Sequence, residues 1–247
     1  MRVFGLVGYP LSHSFSKKYF EEKFAGEHIS DCIYQNFEVP DISGLRKSMD
    51  SLTGMEGFNI TIPYKEKILG LLNESNEIVR QIKACNCIKI TQGRWIGHNT
   101  DVIAFKKSFT EKLKSHHSKA LVLGTGGASK AVAYVLNQLG IEILFVSTTK
   151  IGEGFIAYTD LNNDILNSHQ LIINTTPVGT FPAVSNSPGI NYEALSSSHY
   201  LYDLVYNPAK TQFLSLGEKQ GAQIKNGHEM LILQAEESWK IWNTDNN

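Results

Sequence analysis

The chain has 247 residues, 42% hydrophobic and 19% charged, which suffices for one large globular domain or two smaller ones. Its formal net charge of −1, with no basic block, offers nucleic acid or an anionic membrane surface no electrostatic footing. No run of 18 apolar residues predicts a transmembrane helix. The three cysteines, Cys32, Cys85 and Cys87, make neither a disulfide framework nor a zinc set, so they read as reduced core thiols of a cytoplasmic protein without metal.

In chain order, the apolar run over 3–8 predicts a buried strand. The polar loop Tyr9-Pro10-Leu11-Ser12-His13-Ser14-Phe15-Ser16 follows, then a helix over 17–24. Ser14 or Ser16 suits the helix N-cap, and their hydroxyls equally suit a ligand carboxylate beside the helix start. A strand over 32–37, a helix over 42–49 and a strand over 57–62 come next, and Pro63 then opens another helix. Lys65 sits just past a strand end, where ligand-binding side chains gather in open α/β sheets, although a solvated charge also accounts for it. Thr61 is a β-branched strand residue that needs no function to explain it. Residues 84–90 and 94–97 predict a hairpin around Gln92-Gly93, with the thiols of Cys85 and Cys87 on one face. Asn86, an amide inside an apolar strand, is either paired structurally or aimed at a ligand. Asn99-Thr100-Asp101 opens a long helix to about 116, and Thr100 or Asp101 suits its cap.

Ser115-His116-His117-Ser118 is a polar break and a candidate domain boundary, with both histidines solvated. After it, Ala120-Leu121-Val122-Leu123-Gly124-Thr125-Gly126-Gly127-Ala128-Ser129 reads as strand, tight turn and helix start. Gly124 permits the turn and Gly126 a close backbone approach, while Gly127 and Ala128 leave space for a pyrophosphate facing the helix N–H groups. The next strand, over 141–146, ends at Ser147-Thr148-Thr149-Lys150. No acid stands there to hold a ribose 2′-hydroxyl, whereas hydroxyls with Lys150 suit a 2′-phosphate, so NADP is favoured over NAD. Strands over 171–174 and from 201, a helix over 211–220 and a strand over 222–224 complete this unit. A final helix covers 230–242, with Gln234, read alone, as a surface residue.

Seven stretches together resemble the shikimate dehydrogenase family. They are the loop from Gly8 to Ser16, Asn59-Ile60-Thr61-Ile62-Pro63-Tyr64-Lys65, Asn99-Thr100-Asp101, the glycine loop, Asn174-Thr175-Thr176-Pro177, Tyr202-Asp203-Leu204-Val205-Tyr206 and Gln234-Ala235. The resemblance implies an α/β fold with an open α/β substrate-binding domain (1–100) and a Rossmann-type NADP-binding domain (101–225). A C-terminal helix (226–247) would return to the first domain. It implies NADPH-dependent, reversible reduction of 3-dehydroshikimate to shikimate by a monomer or homodimer, with small-molecule ligands only and no metal. By matching position, Ser14 and Ser16 would hold the substrate carboxylate with Tyr206 beside them. Thr61, Asn86, Asp101 and Gln234 would hold ring hydroxyls, and Lys65 with Asp101 would form the catalytic pair. Gly124, Thr125, Gly126, Gly127, Ala128, Ser147, Thr148, Lys150, Thr175, Leu204, Gly227 and Met230 would take the cofactor. Thr148 stands where the family often has an arginine for the 2′-phosphate. The alternatives are a quinate/shikimate dehydrogenase with relaxed NAD/NADP use and a non-catalytic sensor on the same fold.

Overall fold

Residues 1–11, 14–150 and 152–244 are described in this computed structural model, and the chain divides into two compact units. Unit 1 takes Met1–Asp101 together with the chain from Gln234 onward; unit 2 is Val102–Leu233.

Unit 1 is built on β1 (Arg2–Gly8), an apolar strand with a core on each side. Val3 and Val7 enter one core with Phe58, Trp95 and Cys85, while Phe4 and Leu6 enter the other with Phe20, Tyr34 and Cys87. β1 pairs in parallel with β2 (Cys32–Glu38) and β3 (Met55–Ile60). Parallel neighbours need crossovers. These are α1 (Phe15–Gly26) and α2 (Leu45–Asp50), the latter preceded by a 3₁₀ turn at Ile42–Gly44. β4 (Glu74–Ser75) and α3 (Glu77–Ile82) lead to the hairpin of β5 (Cys87–Thr91) and β6 (Arg94–His98). The hairpin turns where sequence expects, through Gln92 and Gly93, both with positive φ. The sheet order is β2-β1-β3-β5-β6-β4.

The final helix, α8 (His228–Asn243), joins unit 1 from Gln234. Trp242 stacks on Phe4 with ring centroids 4.7 Å apart, and its indole N–H donates to the Ile88 carbonyl at 2.9 Å. Gly57 permits that approach, since a Cβ there would lie 2.3 Å from the Trp242 nitrogen.

Two local expectations are corrected here. No helix begins at Pro63: the Tyr64 N–H bonds back to the Thr61 carbonyl and its buried phenol donates its hydroxyl to the Val39 carbonyl. The segment is thereby held as a turn, and only a 3₁₀ helix follows at Lys67–Leu71. Cys85 and Cys87 enter different cores, because Cys85 precedes β5 and strand alternation does not reach it. All three cysteines are free and buried.

Unit 2 is a six-stranded parallel sheet. Its members in chain order are β7 (Lys119–Leu123), β8 (Glu142–Val146), β9 (Phe155–Ile156), β10 (Leu171–Asn174), β11 (Tyr200–Asp203) and β12 (Gln223–Lys225), arranged β12-β11-β10-β7-β8-β9. β7 and β10 are covered on both faces and so read as unbroken apolar runs. α4 (Asp101–Thr110) begins at the unit boundary and lays Phe105 and Phe109 on Tyr200 and Tyr202. α5 (Gly127–Gln138), α6 (Asn163–Ser168) and α7 (Gln212–Lys219) are the other α-helices lying wholly within this unit among the described residues.

α4 stops well short of 116, and the break at 115–118 lies inside unit 2. His116 is exposed, but His117 is buried, not solvated. Its Nδ1 accepts the Lys114 N–H at 3.1 Å and its Nε2 lies 3.1 Å from the Ser198 carbonyl, so the ring closes the turn that α4 would otherwise have extended through.

Candidate active site

In unit 1 the polar residues singled out by sequence converge at the carboxyl ends of β1 and β3. The Lys65 ammonium lies 2.6 Å from Asp101 Oδ2, with the side chains 17% and 7% exposed. Burial of this degree strengthens the pair and still leaves the lysine reachable. Asp101 opens α4, where the helix dipole favours a carboxylate. The other oxygen, Oδ1, accepts from Asn86 Nδ2 at 2.8 Å. Asn86 also bonds both the hydroxyl and the N–H of Thr100, at 2.9 and 2.7 Å. The backbones are tied as well: the Cys85 N–H reaches the Lys65 carbonyl at 2.8 Å, and Asn99 Nδ2 reaches the Ala84 carbonyl at 3.0 Å.

The network continues under α8. Ser238 donates its hydroxyl to the Gln234 carbonyl at 2.8 Å and accepts from Asn59 Nδ2 at 2.8 Å. Asn59 Oδ1 accepts from the Tyr34 phenol at 3.0 Å, and that phenol is also hydrogen-bonded to Ser16. Ser16, Asn86, Asp101 and Gln234 are therefore four members of one connected, buried polar set. Tyr34 and Asn59 belong to it too; Asn59 stood inside a quoted motif, while Tyr34 gave no local signal.

Ser14 occupies the N-cap position of α1 but makes no capping bond. Its hydroxyl is out of solvent and has no partner among the described residues. A buried hydroxyl left so is costly, and a ligand acceptor would satisfy it. Ser12 and His13 of the same loop lie outside the described residues. Thr61 is half-buried directly after β3, its N–H on the Val7 carbonyl at 2.9 Å. Tyr206 belongs to unit 2, where it is half-buried and burial raises its phenol.

Unit 2 carries a cavity of about 410 Å³ at the carboxyl ends of β7 and β8. Gly124, Thr125, Ser147 and Thr148 line it, as sequence expects, and so do Thr149, Tyr158, Thr176 and Pro188, among others. Gly126, Gly127 and Ala128 follow at the start of α5 without lining the cavity. Gly124 holds φ +100, and a Cβ there would meet Thr176 at 2.8 Å. The Ser147 hydroxyl is occupied, accepting the N–H groups of Thr149 and Lys150 at 3.2 and 3.0 Å. The Lys150 ammonium lies over the Phe155 ring, 5.7 Å from its centre, and Lys150 is not among the lining residues. Thr175 bonds the Leu123 carbonyl through its hydroxyl at 2.7 Å, and the Leu204 N–H bonds the Asn174 carbonyl at 2.9 Å. Gly227 lies against Leu204, and Met230 is buried. Among the described residues no charged side chain lines this cavity, whose wall combines hydroxyls with the apolar side chains of Val146, Pro177, Val178 and Pro188.

The family model for the shikimate dehydrogenase substrate binding domain matches residues 6–88. A relative from Caldicellulosiruptor bescii, shikimate dehydrogenase (NADP(+)), is 38% identical over 98% of this chain and 89% of its own length. The crystal structure of shikimate dehydrogenase 1 from Peptoclostridium difficile has a TM-score of 0.86 at 34% identity, covering 100% of this chain and 94% of that one. Shikimate 5-dehydrogenase from Thermus thermophilus, solved in complex with NADP(H) and shikimate, has a TM-score of 0.86 at 27% identity, covering 98% and 94%. With Lys65, Asn86 and Asp101 held in one network and its relatives matched along nearly the whole length, this chain belongs to the shikimate dehydrogenase family.

Proposed function

We propose that this chain is an NADP-dependent shikimate dehydrogenase, interconverting 3-dehydroshikimate and shikimate. The observation that carries the reading is the Lys65–Asp101–Asn86 arrangement, in a chain whose relatives bear that name. The cavity beside the glycine loop suits one part of a dinucleotide. A twelve-residue helix starts at Gly127 with a glycine cap that offers no side-chain acceptor, so its first N–H groups suit a pyrophosphate. Hydroxyls, not an acid, follow β8.

The bound cofactor supplies or takes the hydride. The protein's own groups handle position and charge. As a ketone oxygen gains electron density, the Lys65 ammonium stabilises it and Asp101 holds that ammonium in place. Lys65 and Asp101, 2.6 Å apart, deliver and recover the proton as one coupled pair. Asn86 fixes Asp101 from the other side, so the carboxylate cannot rotate away from the lysine. The orphaned Ser14 hydroxyl is assigned to the substrate carboxylate, with Ser16, held by Tyr34, beside it. The free thiols suit a reducing compartment, and we place the enzyme in the cytoplasm.

The test is reduction of NADP⁺ by shikimate, followed by near-ultraviolet absorbance, in parallel with NAD⁺ and with quinate. Rapid turnover of shikimate with NADP⁺ is expected. Equal rates with NAD⁺ and quinate would make the chain a relaxed quinate/shikimate enzyme. No turnover from a folded protein that binds cofactor would leave a sensor.

A further inference from the structure

We infer that Asp203 is a positioning residue for the cofactor, its buried carboxylate holding in shape the turn that forms one wall of the unit 2 cavity. The inference rests on the dinucleotide reading of that cavity. Asp203 ends β11 and is fully buried. Its Oδ1 accepts from Asn174 Nδ2 and from the Val205 N–H, both at 3.0 Å, and its Oδ2 accepts from the Thr211 hydroxyl at 2.5 Å. One carboxylate thus joins the end of β10, the start of the 204–206 segment and the N-cap of α7.

The consequence travels through Asn174. Its amide nitrogen donates to Asp203 and, at 3.2 Å, to the Val178 carbonyl, while its oxygen accepts both the N–H and the hydroxyl of Thr176, at 3.1 and 2.6 Å. The Thr176 hydroxyl in turn accepts the Val178 N–H at 3.2 Å. Thr176, Pro177 and Val178 all line the cavity, and Thr176 also packs against Gly124 of the glycine loop. Leu204, on the other side of Asp203, has its N–H on the Asn174 carbonyl. Without the carboxylate, Asn174 keeps only partners within the turn itself, Thr176 and the Val178 carbonyl, and the wall loses its anchor to the end of β11. Asp203 does not line the cavity, so it acts on that wall through Asn174.

The same burial raises the Asp203 carboxyl to about 6, against the bonds from Thr211, Val205 and Asn174 that lower it. The titratable groups that feel it are the phenols of Tyr202 on its own strand and Tyr192 from the turn at Tyr192–Ala194, both raised and neutral. Protonation near pH 6 therefore weakens the clamp, and Asp203→Asn imitates the protonated state.

The experiment measures NADPH affinity by fluorescence, with thermal stability in parallel. Asp203→Ala and Asn174→Ala are each expected to raise Kd by about tenfold, and the double variant by no more than either alone, because they break one path. Asp203→Asn keeps the two acceptor contacts of Oδ1 and is expected to cost about threefold. Wild-type affinity should fall by the same factor as pH drops through about 6, while Asp203→Asn lacks that step. The cofactor 2′-phosphate also titrates near there, equally in both proteins, so the difference between the curves reports Asp203. A lower melting temperature with Kd unchanged would make Asp203 merely structural and overturn the inference. Should Asp203→Ala fail to fold, an Asp203→Asn curve identical to wild type overturns it instead. Failure of wild-type protein to bind NADPH removes the dinucleotide reading itself.

Discussion

Lys65 and Asp101 stand 36 positions apart, and neither residue is informative by type alone. Their meeting gives each a role. Lys65→Ala is expected to lower kcat by about 10²–10⁴-fold with little change in shikimate KM, since the ammonium acts on charge that develops during reaction. Steady-state kinetics with both substrates varied checks this, and unchanged turnover would remove Lys65 from the mechanism. Of the two readings that sequence left open for Asn86, the structural pairing is present, to Thr100 and Asp101, and through Asp101 the amide also bears on the site. Other residues were legible in type but not in use. Ser147 lines the cavity, and its hydroxyl also accepts two N–H groups of its own loop, while Lys150 rests on an aromatic ring. Tyr158 and Pro188 line the cavity from far along the chain, with no spacing or motif to announce them.

At the scale of elements, unbroken apolar runs such as β7 and β10 were readable because burial on both faces leaves a one-letter pattern. Short pieces were not. α3 has six residues and one good cap at Asn76, too little periodicity to separate from a turn. The turn at Pro63 shows a tertiary contact overruling a local signal, as the Tyr64 side chain is fixed by the Val39 carbonyl, just past another strand. How helix α8 docks depends on a missing side chain. Gly57→Ala would press a methyl onto the Trp242 indole and the Ile88 carbonyl, at 2.3 and 2.7 Å. The expected cost is about 1–3 kcal/mol. Thermal denaturation of that variant checks it, and an unchanged melting temperature would mean that α8 shifts freely on its sheet.

For the whole molecule, the family resemblance implied two domains and a helix with bounds at 100 and 225, whereas the chain divides after Asp101 and Leu233, with unit 2 as one uninterrupted stretch inside unit 1. That interruption has an order in time. On a ribosome, the strands of unit 1 emerge first, yet Trp239 and Trp242, which complete the core around Phe4 and Phe20, come after all of unit 2. Unit 2 can close as soon as its own strands are out. A chain stopped after Leu233 is expected to protect unit 2 from protease while unit 1 is cut, because β1 and α1 then show solvent a bare aromatic face. Protection of both units alike would show that the first needs no late partner. The half of the protein that holds Lys65 is thus expected to be the last to mature during synthesis, with the cavity of unit 2 complete on the nascent chain before the polar network around Lys65.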